Sequence, residues 1–143
     1  MKKLITLMLI LSTCMFAGNH EKLIGTWKAD IEALKKNPEF EKANKDPNQK
    51  MMVNMMLNMF GKMKMTFTKD KLEMQIPSPD GNTKTEKGTY KILVDKNKTI
   101  ELNAVSEKGD KEIMLITFVD DKNILMGPKN EKGMMGKIPF TKE

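Results

Sequence analysis

Beyond residue 62 the chain alternates apolar and polar residues with a period of two, as strands with one buried face do. Met63, Met65 and Phe67 are separated by single polar residues. After Lys69-Asp70-Lys71 the pattern returns through Leu72, Met74 and Ile76, which predicts a hairpin. Residues 77–82, rich in Pro, Asp, Gly and Asn, form a loop. A strand from about Thr83 then passes Gly88 and carries Tyr90, Ile92 and Val94, and Asp95-Lys96-Asn97-Lys98 turns it into Ile100, Leu102 and Ala104. Residues 107–110 turn again into 113–119, a segment apolar on both faces and expected to be covered on each side. Residues 120–123 lead into Ile124-Leu125-Met126, Gly127-Pro128 ends that strand, and residues 136–141 supply a last short one. With a first strand around Trp27 the count is about eight, joined by tight turns. That spacing favours an antiparallel up-and-down meander, and closing it into a barrel removes its exposed edges.

Residues 30–61 break this alternation with a helical pattern. Asp30 is placed to cap a short helix running to Lys36, with Ile31 and Leu34 three apart on one face. Asn37-Pro38 is read as its breaker, because Pro disfavours helix in the residue before it. Asp46-Pro47-Asn48-Gln49 offers a second start, with Asp as the cap, Pro at the first helical position and Gln at the third. This helix is expected to run to Phe60, with Gly61 ending it. At about 100° per residue, Met51, Met52, Met55, Met56 and Met59 share an arc of about 140°. Val53, Leu57 and Phe60 widen the apolar arc to about 240°, leaving Asn54 and Asn58 on the rest, so the helix should be covered over most of its circumference.

The chain opens with an export pattern. Lys2 and Lys3 precede an apolar run from Leu4 to Leu11, then small or weakly polar residues at Ser12 and Thr13, which is a secretory signal too short to span a membrane. Cleavage after Ala17 leaves residues 18–143 as one domain, with the helical insert at about 30–61 between the first two strands. The alternative reading takes Leu11-Ser12-Thr13-Cys14 as a lipobox with Cys14 lipid-modified, although Thr is a poor match before that Cys. Both readings place the domain beyond the inner membrane, the first of them in the periplasm, with no transmembrane segment following. Cys14 is the only cysteine, so the folded domain has no disulfide and rests on its core. Roughly 125 residues can bury about two-thirds of their unfolded surface, enough for one unaided domain.

Gly25-Thr26-Trp27-Lys28, followed by a helical insert and an antiparallel meander, resembles the calycin group of lipocalins and fatty-acid-binding proteins. In lipocalins the Gly-x-Trp lies where the chain enters the first strand and the Trp plugs the closed end of the barrel. The resemblance gives Gly25 and Trp27 those roles and implies a mainly β, eight-stranded, lipocalin-like barrel of a small exported bacterial protein. A two-helix insert between the first and second strands resembles the pair that lids fatty-acid-binding proteins. The chain departs from both families in having no arginine. A Lys stem is therefore expected to cover Trp27 in place of the lipocalin Arg, and the Arg-Tyr grip on a fatty-acid carboxylate is missing.

Composition narrows the chemistry. The formal charge of +6 comes from 25 lysines against 19 acidic residues, interleaved as in Glu107-Lys108-Gly109-Asp110-Lys111-Glu112, which is a solvated surface and not a phosphate-binding stripe. Without arginine, bidentate contacts to bases and phosphates are lost, and nucleic acid is not an expected partner. His20, the only histidine, falls in an N-terminal stretch expected to be disordered, so a Ser-His or Cys-His device lacks its base. No phosphate-binding Gly loop and no His/Cys zinc set is present. The chain is read as non-enzymatic, with no cofactor and no metal site.

The 15 methionines are the unusual feature. Clustered thioethers at Met51, Met52, Met55, Met56 and Met59 suit Cu(I), a soft ion. The plainer reading is flexible apolar filler, and it is preferred because Met63, Met65 and Met74 alternate on strands as filler would. Two roles remain open. One is a barrel holding a small apolar molecule or lipid, with Met51, Met55, Met59, Phe60, Met65, Phe67, Met74 and Tyr90 as pocket candidates under a Met-rich lid. The other is an envelope protein whose barrel is filled by its own side chains and binds nothing small. Cavity volume discriminates between them, and the pattern carries no information on oligomeric state.

Overall fold

The computed structural model describes residues 18–143 apart from Pro79, and only the backbone of Met134 and Met135. The expected signal segment, residues 1–17, and Cys14 within it lie outside the described residues. Eight antiparallel strands form a closed barrel in simple chain order: β1 (Gly25–Ala29), β2 (Lys64–Phe67), β3 (Lys71–Pro77), β4 (Thr83–Lys96), β5 (Thr99–Ser106), β6 (Lys111–Phe118), β7 (Asn123–Pro128) and β8 (Ile138–Lys142). β8 returns to β1 with Trp27 opposite Lys142 and Ala29 opposite Phe140, so no strand edge is left open. The inward positions read from the alternation pair across the ladder: Met65 with Met74, Phe67 with Leu72, Tyr90 with Ala104, Leu102 with Met114 and Ile116 with Met126. Among the described residues no polar or charged side chain is fully buried, as expected of a core built only from the apolar half of each strand. The segment expected to be covered on both faces is not. On β6 Met114, Ile116 and Phe118 are buried, Ile113, Leu115 and Thr117 only half-buried, and Val119 beyond it is exposed, because among the described residues no layer packs outside the sheet there.

One end of the barrel is closed by a short helix, α1 (Asn19–Leu23), where disorder was expected. Long-range partners hold it. The Asn19 amide donates to Asp95 Oδ1 and to the Asn97 carbonyl, both at 2.7 Å. The Trp27 indole N–H donates to the Leu23 carbonyl at 2.7 Å. Trp27 is fully buried, meets Phe118 edge-to-face at 6.4 Å, and carries the Lys142 ammonium 5.3 Å from its ring centroid. Lys142 thus supplies the cover expected of a lysine, and its Nζ also donates to the Lys22 carbonyl of α1 at 2.8 Å. Gly25 has φ +134°, a backbone conformation that L side chains rarely adopt, so the entry to β1 demands glycine; the flexible end of Lys142, 2.8 Å from where a Cβ would sit, could give way.

The opposite end carries the insert, because the chain leaves the barrel at Ala29 and returns at Lys64. The insert holds three helices and not two: α2 (Ile31–Lys35), α3 (Pro38–Lys45) and α4 (Lys50–Phe60). Asp30 caps α2 as expected, accepting from the Ala33 amide at 3.0 Å. Asn37-Pro38 starts α3 as well as ending α2. Asn37 Oδ1 accepts from the Glu39 amide at 2.9 Å, and Pro38 sits at the first helical position, where its missing N–H costs nothing. Asp46 is not the cap of the Met-rich helix. It ends α3, and its carboxylate takes the Asn48 amide and the Gln49 side chain, organising the turn before α4, whose cap position is Gln49. Gly61 follows α4 in right-handed geometry, φ −59°, so it stops the helix without the left-handed turn that glycine permits.

Candidate functional site

Below the insert the barrel is packed. Trp27, Met65, Phe67, Tyr90, Ile100, Leu102, Ile116, Phe118, Met126 and Phe140 form one buried cluster, continuous with Val53 and Phe60 of α4 and Phe40 of α3. The helices contact β8, β3 and the short 3-10 turn Gly133–Gly136 that precedes β8. Beyond the α4–β3 contact the mouth stays open between β3 and β6.

An open cleft of about 340 Å³ lies there. Leu72, Met74, Ala104 and Met114 supply its apolar lining, with Gly88 in one wall, and no residue of α2, α3 or α4 contributes. Gly88 makes this geometry possible: a Cβ at that position would overlap the Val105 carbonyl oxygen, so β4 and β5 can approach only through glycine. A second open cavity of about 290 Å³ lies against the same glycine, lined also by Lys71, Glu73, Thr89 and Glu107, which alternate onto the outer face.

The rim of the cleft is acidic. By strand alternation Glu86 shares its face with Gly88 and Tyr90, and Glu112 shares its face with Met114; Asp110 completes the lip. Lys84 holds Glu86 below the usual carboxylate range, first through a 2.6 Å ion-paired hydrogen bond and then through its charge. Lys87 and Lys111 also border the cleft, on the alternate face of their strands, where Lys87 pairs with Glu73 at 3.4 Å. The Ser106 hydroxyl is engaged within its own turn, accepting from the Asp110 amide at 3.1 Å.

The eight pocket candidates separate into three groups. Met74 alone lines the cleft. Met65, Phe67 and Tyr90 belong to the packed interior, and Phe60 joins α4 to that core. Tyr90 lies toward the α1 end, donating its hydroxyl proton to the Thr68 carbonyl and hydrogen-bonded to His20 Nε2 at 3.0 Å. Burial, and then the charge of Asp70, push its phenol above the usual tyrosine range. Met51, Met55 and Met59 face solvent, together with Met52. The buried arc of α4 consists of Val53 and Phe60, with Met56 and Leu57 half-buried beside them. Reading the apolar arc as a single face missed that only the side with Val53 and Phe60, flanked by Met56 and Leu57, packs on the core. The cleft residues missed were Leu72, Gly88, Ala104, Met114 and the three acids. Glycine within a strand was the available signal, since it marks a close backbone approach. Comparison with known proteins finds no matching family, no matching curated protein and no matching solved structure.

Proposed function

We propose that the chain is an exported, non-enzymatic, lipocalin-like binding protein that takes a small ligand with an apolar body at the open end of its barrel. The observation that carries this reading is the cleft of about 340 Å³ with Leu72, Met74, Ala104 and Met114 at its base. Its volume falls at the lower end of the roughly 300–1,000 Å³ typical of small-molecule sites. The Gly25-Thr26-Trp27 entry to a closed eight-stranded barrel supports the lipocalin likeness. Glu86, Asp110 and Glu112 at the rim favour a neutral or cationic head group over a carboxylate, by like-charge repulsion. No residue of α4 lines this cleft, so on this reading the ligand enters without moving a lid.

The packed interior favours a second reading, a solid barrel that binds nothing small. Titration with the neutral dye N-phenyl-1-naphthylamine separates the two. Wild type is expected to enhance its fluorescence saturably, and Ala104→Phe, which fills the cleft, is expected to weaken binding at least tenfold while keeping the far-UV circular dichroism of the barrel. A dye that binds neither protein favours the solid barrel. Native mass spectrometry of protein purified from its own envelope would then show whether a small molecule is carried.

A further inference from the structure

The outer face of α4 is the least expected surface of the molecule. Met51, Met52, Met55 and Met59 are 69, 54, 67 and 39% exposed. A surface helix usually needs one apolar stripe and fills the rest with charged or polar residues. Here the stripe is already supplied by Val53, Leu57 and Phe60 on the packed side. Apart from Met56, which packs half-buried beside that stripe, the remaining apolar positions lie in solvent, and every one of them is methionine. Filler accounts for the buried Met65, Met114 and Met126, but not for thioethers in water.

We propose that this face is a Cu(I) site, with Met55 as the central donor. Met51, Met52 and Met59 stand at i−4, i−3 and i+4 from it, the positions whose Cβ atoms lie about 5–6 Å away on a helix. Three rotatable bonds in each side chain let the Met55 sulfur share one ion with those of Met51 and Met52 or with that of Met59, although Met51 and Met59, about 12 Å apart along the helix, cannot both reach it. Thioethers are soft, uncharged donors that favour Cu(I) over harder cations. The site is independent of the cleft and uses none of its residues. Among the described residues no group of three or more His, Cys, Asp and Glu comes together to hold a metal, so harder ions have no rival cage of that kind there. Docking to a lipid surface would be served as well by Leu or Phe, and this face has neither. The choice of sulfur is what selects the metal.

The test is a titration of the protein, exported and purified from a bacterial envelope in a Cys14→Ser background so that no thiolate contributes. Cu(I) is supplied under reducing conditions against a chromophoric Cu(I) chelator, and Ag(I) serves as a redox-inert second probe. One Cu(I) is expected to bind with sub-micromolar affinity. Met55→Leu should weaken it at least tenfold, and Met51, Met52, Met55 and Met59 all replaced by Leu should abolish it. Leu is close to Met in volume, so circular dichroism and dye binding at the cleft should be unchanged in the quadruple variant, which separates loss of metal from loss of fold. Because a thioether carries no proton, affinity should be flat between pH 5 and 8, unlike that of an imidazole or thiolate site. Absence of Cu(I) and Ag(I) binding by wild type, or equal binding by the quadruple Leu variant, overturns the proposal. So does binding of anionic vesicles by wild type and Leu variant alike without metal uptake.

Discussion

Trp27 offers the sharpest test of the barrel's closed end. Replacing it with Ala removes a fully buried indole that meets Phe118 edge-to-face at 6.4 Å and lies under the Lys142 ammonium at 5.3 Å. Large-to-small changes of a buried aromatic cost about 3–5 kcal/mol in lost transfer free energy and residual cavity. The Leu23 carbonyl, which accepts the indole proton at 2.7 Å, also loses its partner, adding about 1 kcal/mol unless water reaches it. The expected loss is therefore at the upper part of that range, about 4–5 kcal/mol, a large share of the roughly 5–15 kcal/mol that holds a single domain together. Trp27→Phe keeps a ring against Phe118 and under Lys142 and loses the N–H bond and the fused ring, so it should cost about half as much. Urea unfolding followed by far-UV circular dichroism measures both. Trp27 is also the only tryptophan, so native wild-type emission should be blue-shifted and move red on unfolding. A Trp27→Ala loss below about 1 kcal/mol, the scale of a surface substitution, would refute the plugged-barrel argument, as would native emission already as red as the unfolded chain's.

Two further changes probe the rest of the barrel. Gly88→Ala places a methyl group against the Val105 carbonyl oxygen, so β4 and β5 must separate; a stability loss of about 1–3 kcal/mol and weaker dye binding are expected, and an unchanged urea midpoint would show that the approach is not tight. Tyr90 has its phenol pushed up by burial and Asp70, so above about pH 10 the unfolded chain loses that proton before the folded one does, and stability should fall as pH rises through the folded value. Tyr90→Phe should flatten this alkaline decline and cost about 0.5–1.5 kcal/mol at neutral pH through the lost bond to Thr68; an identical alkaline slope in the two proteins would exclude Tyr90 as its source.

Local rules made much of this molecule legible from the chain alone. Period-two alternation in residues 63–104 placed four strands because a strand's two faces are set by its own geometry, whatever it packs against, and apolar runs between turns placed two more at 113–119 and 124–126. Gly25 and Trp27 marked the start of the barrel, and the regular spacing of short turns favoured a meander whose closure removes exposed edges. Where several partners compete for one residue, local pattern could not choose. Asp46 satisfies the rules for a helix cap, yet the end of α3 claims it, and Pro38 both blocks one helix and begins the next. α1 forms because Asp95, Asn97 and Trp27 reach it from distant positions, contacts that no neighbouring residue announces. The face of α4 is the clearest case. Met, Val, Leu and Phe are equally apolar in one dimension, and a 240° arc names no side. Packing on the core selected Val53 and Phe60 for burial, half-buried Met56 and Leu57, and left four thioethers in water. The cleft arose in the same way. Its acids and apolar side chains come from four strands and the β5–β6 turn, brought together by a register that Gly88 permits, and a packing choice of that kind is settled only when the whole sheet closes.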